Sequence, residues 1–287
     1  MSLTVTEAVF LALAMLAYAI AGGAAGFDLA RRRREPHAKA NPWLARGVLL
    51  AGFAAHAVLL ALRGFRLGDH ALAGTPSTLI FVAFCAILVG VIIDTGQGLR
   101  ALPLFLVPPV FLALVLAAAQ LARATESLDG PLPAEARLVL RGHIVTVLIA
   151  YGAFTFAAVL SAMYLYLEKQ LKKKKLGVFD LPALDRLERV EGRFVVSGFV
   201  LLTVSLALGI LTQRATGALG VGWLKNAQIL TALVTWVFCG GLVLGRAFSL
   251  LAGRRQIFAT LIVFVLVLVT YLGAPLVTGV PHFTRTS

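Results

Sequence analysis

Charge is scarce in this chain. Charged residues make up 14% of its 287 positions, where soluble domains carry about a quarter. Hydrophobic residues reach 60% and the mean hydropathy is +0.92. A soluble fold of this composition lacks the polar groups to cover its own surface, and a bilayer is the solvent that suits it. Carboxylates are scarcer still, with 13 Asp and Glu against 26 Lys and Arg. Only two cysteines occur, Cys85 and Cys239, both inside apolar runs. That excludes a disulfide framework and a Cys-x-x-Cys redox pair. No P-loop, nucleophile elbow, HExxH or dinucleotide glycine pattern is present. Without a nucleophile or a converging acid–base pair, the chain is not expected to be an enzyme.

What is present is eight apolar runs: 7–27, 45–63, 77–95, 102–122, 143–167, 194–212, 226–247 and 257–278. About 20 apolar residues cross a ~30 Å hydrocarbon core as a helix, and lipid leaves the backbone no other partners. The expected fold is therefore all-α, a polytopic membrane helical bundle of about eight transmembrane helices. It forms a single transmembrane domain over 1–287. The leading segment MSLTVTE has no basic residue, so the first run does not read as a secretory signal.

The basic residues are arranged by side. Loops after runs 1, 3, 5 and 7 hold eighteen of them, including Arg31 to Arg34 and Lys172 to Lys175, and the opposite side holds eight. The positive-inside rule puts the eighteen in the cytoplasm and both termini outside. The net charge of +13 then reads as topology and contact with anionic lipid, not as nucleic-acid binding. The longest connection, 168–193, holds the lysine run and then Leu181, Leu184, Leu187 and Val190 at a spacing of three with charges between them. A short helix lying in the membrane interface is expected there. Pro108 and Pro109 should kink the fourth helix. Gly22, Gly23 and Gly26 in the first helix, and Gly240, Gly241 and Gly245 in the seventh, suit close helix approach.

Histidine is the informative side chain. His37 lies among arginines in the first cytoplasmic loop and His70 in an outer loop. His56 falls in the middle of the second helix, where an imidazole needs a hydrogen-bond partner or a metal. His143 opens the fifth helix and His282 follows the eighth, both on the expected outer side. A pair of imidazoles suits the two axial positions of haem iron, and Arg141 and Arg137 suit its propionates. Interfacial histidines satisfied by water or lipid headgroups are the alternative, and the residues alone leave both open. Trp43 fits an aromatic belt, Trp223 lies in an outer loop and Trp236 inside the seventh helix.

Several segments resemble one family together. They are RGHIVTVLIAYGAFTFAAVLSAMYLYLEKQLKKKK, LPALDRLERVEGRFVVSGFVLLTVSLALGIL, AQILTALVTWVFCGGLVLGR and RRQIFATLIVFVLVLVTYLG. In order and spacing the chain resembles the cytochrome c assembly protein family, on the branch that includes the HemX-like proteins. The resemblance implies haem handling at the outer membrane face, with haem as cofactor or cargo. Members that deliver haem carry Trp-x-Trp-Asp-Pro-Lys in an external segment with flanking histidines that ligate the iron. His143 and His282 match those histidines, and His56 matches an in-membrane one. The Trp-rich stretch corresponds here to Trp223, Leu224, Lys225, Asn226, Ala227 and Gln228, so only its first tryptophan is kept.

The resulting expectation is a multi-pass protein of the inner or plasma membrane that binds, translocates or supports delivery of haem in cytochrome c biogenesis. His143 and His282 would hold the iron axially, Trp223 would pack on the porphyrin and Arg141 would neutralise a propionate. The expected partners are the lipid bilayer, haem and other cytochrome c maturation proteins. The alternative is a HemX-like regulatory or scaffold protein without bound haem, acting through the loop 168–193. A small-molecule or ion transporter, resting on His56, is the third.

Overall fold

The first helix starts where its sequence supplies both halves of a cap. The Thr4 amide donates to Glu7 Oε2 at 3.0 Å and the Glu7 amide to Thr4 Oγ1 at 3.2 Å. This reciprocal box satisfies two amides that the first helical turn leaves without partners. The computed structural model describes residues 3–34, 42–72, 74–97, 102–121, 134–173, 183–215 and 227–270. Among them every element is helical: α1 Val5–Arg34, α2 Pro42–Leu67, a short 3-10 turn Gly68–Leu72, α3 Gly74–Gln97, α4 Leu102–Leu121, α5 Ala134–Lys172, α6 Leu184–Ala215, α7 Ala227–Ala247 and α8 Arg254–Leu268. Seven of these helices, α1 to α7, are long and apolar enough to cross a membrane. The eighth has 15 described residues. The protein is an all-helical, multi-pass membrane bundle.

The chain divides into two compact units, Met1–Glu126 with Ala162–Leu187, and Ser127–Ser161 with Glu188–Ser287. In the first, α1 packs on α2 and α4, and α3 on α4 and α2. The buried positions of α1 are Glu7, Leu11, Ala14, Tyr18 and Ala21, and those of α2 are Leu49, Gly52, His56, Leu59 and Arg63. Steps of three and four residues make one straight seam on each helix. Gly52 brings the helices close: a Cβ there would stand 2.9 Å from the Tyr18 ring and from the Ala17 Cβ. α4 runs on through Pro108 and Pro109.

The second unit holds the front of α5, most of α6, and α7 and α8. Its core joins Ala150, Phe154 and Ala157 of α5 to Val195 and Leu202 of α6, Cys239 and Leu242 of α7, and Val263 and Val267 of α8. Residues 184–193, expected as a separate interfacial helix, are instead the leading turns of α6. The physical reason is Glu191. Its carboxylate is fully buried and accepts hydrogen bonds from Arg246 Nη1 at 3.2 Å, Gln256 Nε2 at 2.6 Å and the Thr260 hydroxyl. Glu188 Oε1 accepts from the Gly253 amide at 2.7 Å, and the Glu188 carbonyl from Arg246 Nη2 at 3.0 Å. These bonds tie the start of α6 to the end of α7 and the start of α8, so the segment packs into the bundle. Leu181 lies outside the described residues.

Candidate functional site

His143 lies in the third turn of α5, which starts at Ala134; it does not open the helix, because the preceding EARLVLRG is itself helical. The ring is half-buried and set against α6. Its Nδ1 is 2.7 Å from the Ser205 carbonyl oxygen and 3.0 Å from Ser205 Oγ. Ser205 Oγ in turn donates to the His143 carbonyl at 3.3 Å. A carbonyl oxygen only accepts, so at 2.7 Å the Nδ1 atom carries the proton. In the neutral imidazole, Nε2 is then the nitrogen with the free lone pair, the arrangement a metal-ligating histidine needs. Arg141, two residues earlier, is exposed.

His56 sits in the other unit, in the seam between α1 and α2, and is fully buried. Its Nδ1 is hydrogen-bonded to the Tyr18 hydroxyl at 3.2 Å. The ring meets Phe84 edge-on with centroids 5.4 Å apart, and Phe84 stacks on Phe53 at 4.9 Å. Its Nε2 is buried without a hydrogen bond of full geometry, and the Ile80 backbone is the further polar group that meets the ring. The Tyr18 hydroxyl and the Ile80 backbone thus satisfy this imidazole within the helix seam.

Two turns along α2 from His56, Arg63 is also buried, at 1% exposure, with Nη2 donating to Ser77 Oγ at 3.0 Å. Arg63 Nη1 and Glu7 Oε2 lie 3.8 Å apart, and Arg66 grips the same carboxylate with two bonds of 2.8 and 2.7 Å. Glu7 and Arg66 stand 59 positions apart in the sequence, where nothing links them. In the second unit Trp236 Nε1 donates to Thr203 Oγ1 at 2.9 Å, and Trp236 stacks on Phe199 at 5.8 Å. Among the described residues no group of three or more His, Cys, Asp or Glu is placed to hold a metal ion. His282, Trp223 and His37 lie outside the described residues, as do the side chains of His70 and Trp43.

The geometry thus gives His143 a capped Nδ1 and leaves its Nε2 to act. Nothing in the sequence marks the partners Ser205 and Tyr18 strongly. A weak signal existed for Tyr18, seven residues after Leu11 on the seam.

The family model described as "Cytochrome C assembly protein" matches residues 72–282. The chain belongs to the cytochrome c assembly protein family. The matched stretch holds His143, Trp223 and His282 and begins after His56. Among relatives of this family member, Protein HemX of Brevibacillus brevis is 33% identical over 94 residues, 32% of this chain and 34% of that protein. This match therefore spans about a third of the HemX length. Cytochrome c biogenesis protein CcsA of Prochlorococcus marinus strain MIT 9301 is 25% identical over 227 residues, 72% of this chain and 73% of that protein. An uncharacterized 28.8 kDa protein of Azospirillum brasilense is 30% identical over 141 residues, 48% of this chain and 51% of that one. No solved structure matches the chain.

Proposed function

We propose that this protein binds haem at the extracytoplasmic face of the membrane and delivers it, or supports a complex that delivers it, during cytochrome c assembly. The observation that carries this reading is the hydrogen bond of 2.7 Å from His143 Nδ1 to the Ser205 carbonyl, which leaves the Nε2 lone pair as the one that would hold the iron. Its place inside the stretch matching the family adds weight. The relative named a cytochrome c biogenesis protein extends over 72% of this chain. Haem, when bound, supplies a Lewis-acidic iron and two carboxylates to be held.

In this reading His143 and His282 would hold the iron, Trp223 would cover the porphyrin and Arg141 would neutralise a propionate. His56, buried between α1 and α2, is a further candidate ligand within the bilayer. The asymmetry of eighteen basic residues against eight supports placing His143 on the outer side. Protein purified from cells with ample haem should show a Soret band that His143→Ala largely removes. A colourless protein with no measurable haem affinity would contradict the reading.

A scaffold role without haem is favoured by one observation, the reduction of the Trp-rich stretch to Trp223. It would act through the expected loop 168–193, of which 174–182 lies between α5 and α6 in the sequence. Deleting that segment would then abolish partner capture while His143→Ala changed nothing.

A further inference from the structure

A helical carbonyl points toward the next turn and is flanked there by the side chain four residues on. For Ser205 that residue is Gly209. A Cβ at position 209 would stand 3.1 Å from His143 Cε1 and 3.2 Å from Nδ1. Those are the ring atoms that face the Ser205 carbonyl. At these distances the ring or the helix must give by a few tenths of an ångström, enough to strain a hydrogen bond of 2.7 Å. Glycine therefore opens a notch in α6 through which the imidazole reaches a carbonyl that a larger residue would fence off. Ser205 is almost fully buried, so no water competes for that carbonyl from its own side chain's face. The Ser205 hydroxyl is the lesser contact, at 3.0 Å from Nδ1.

We propose that Gly209 is the positioning residue of His143: by opening the Ser205 carbonyl to Nδ1–H, it fixes Nε2 as the nitrogen that His143 offers to a ligand. The ligand, haem iron, rests on the function proposed above, but the tautomer does not. The notch acts on the free protein before anything binds. It holds the ring plane as well as the proton, because the ring is clasped between Ser205 and position 209. Second contacts of this kind change the affinity of a histidine ligand about 10- to 100-fold.

The test is NMR of isotope-labelled histidine in the full-length protein in detergent, without haem, with the His143 signal assigned by its loss in His143→Gln. The wild type should show His143 protonated at Nδ1 and bare at Nε2. Ser205→Ala should keep that state, since the backbone carbonyl remains. Gly209→Ala should lose it, and haemin titration of that variant should show affinity reduced about 10-fold or more. A wild-type ring protonated at Nε2, or unchanged tautomer and affinity in Gly209→Ala, overturns the proposal. Should Gly209→Ala fail to fold, Gly209→Ser is read in the same way. A wild type protonated at Nδ1 that loses this state on substitution of Gly209 but binds no haemin supports the proposal and removes the haem reading.

Discussion

Arg246 of α7 crosses the backbone of Gly192 to reach Glu191, and its guanidinium fills the space where a side chain at 192 would lie. Glu191 is fully buried and Arg246 keeps 24% of its side chain exposed. Removing one partner of a buried pair costs about 3–5 kcal/mol, and the exposure of Arg246 places this pair near ~3 kcal/mol. Glu191→Ala should therefore lower the melting temperature of the detergent-solubilised protein markedly, and more than Glu191→Gln, which can still bond Thr260. Equal melting of Glu191→Ala and wild type would show that the carboxylate bears no load. Little of this was legible in the sequence. Glu191 falls in a charged stripe whose leucines repeat every three residues, and that pattern reads as an interface. Only the contacts with Gln256 and Thr260, some 65 residues away, reveal a core carboxylate. The histidines were legible, because an imidazole in an apolar run is conspicuous. Ser205 and Gly209 were not, since which face of α6 meets His143 depends on helix rotation.

Helices as elements were the most readable part. Hydropathy placed a helix over each of the eight runs, because 20 apolar residues in lipid leave the backbone one solution. Their ends were misplaced where polar helix formers continue a helix past the apolar run. α5, expected over 143–167, runs from Ala134 to Lys172, carried on by segments such as AEARL and LEKQLK whose residues favour helix. The glycines of the first helix divide by what they face. A Cβ at Gly22 would stand 3.0 Å from Val107, whereas Gly23 has nothing within 4 Å. The seam between α1 and α2 supplies the sharper contrast. Gly52→Val would drive a side chain into the Tyr18 ring and should cost about 1–3 kcal/mol through overpacking. Gly23→Ala should be neutral or slightly stabilising, since alanine is the better helix former. Thermal melts of the two variants side by side check the pair, and equal losses at both positions would contradict the seam.

For the molecule as a whole, membership of the cytochrome c assembly family and the basic asymmetry support the proposal that His143 belongs to a haem site on the outer face. The basic residues that looked like topology signals serve packing as well. Arg63 and Arg66 pair with Glu7, and Arg246 with Glu191. Deleting 174–182 should leave haem content unchanged; a wild type that binds no haem, together with partner capture lost on that deletion, would point to the scaffold role. The most direct measurement of the central claim is chemical labelling one turn before His143. Leu140→Cys, in a chain with Cys85 and Cys239 replaced, places a thiol on the His143 side of α5. A membrane-impermeant maleimide applied to intact cells should label it, and haemin should slow that labelling in the presence of His143 but not of His143→Ala. Labelling that requires permeabilised cells, or a rate indifferent to haemin, would contradict the account.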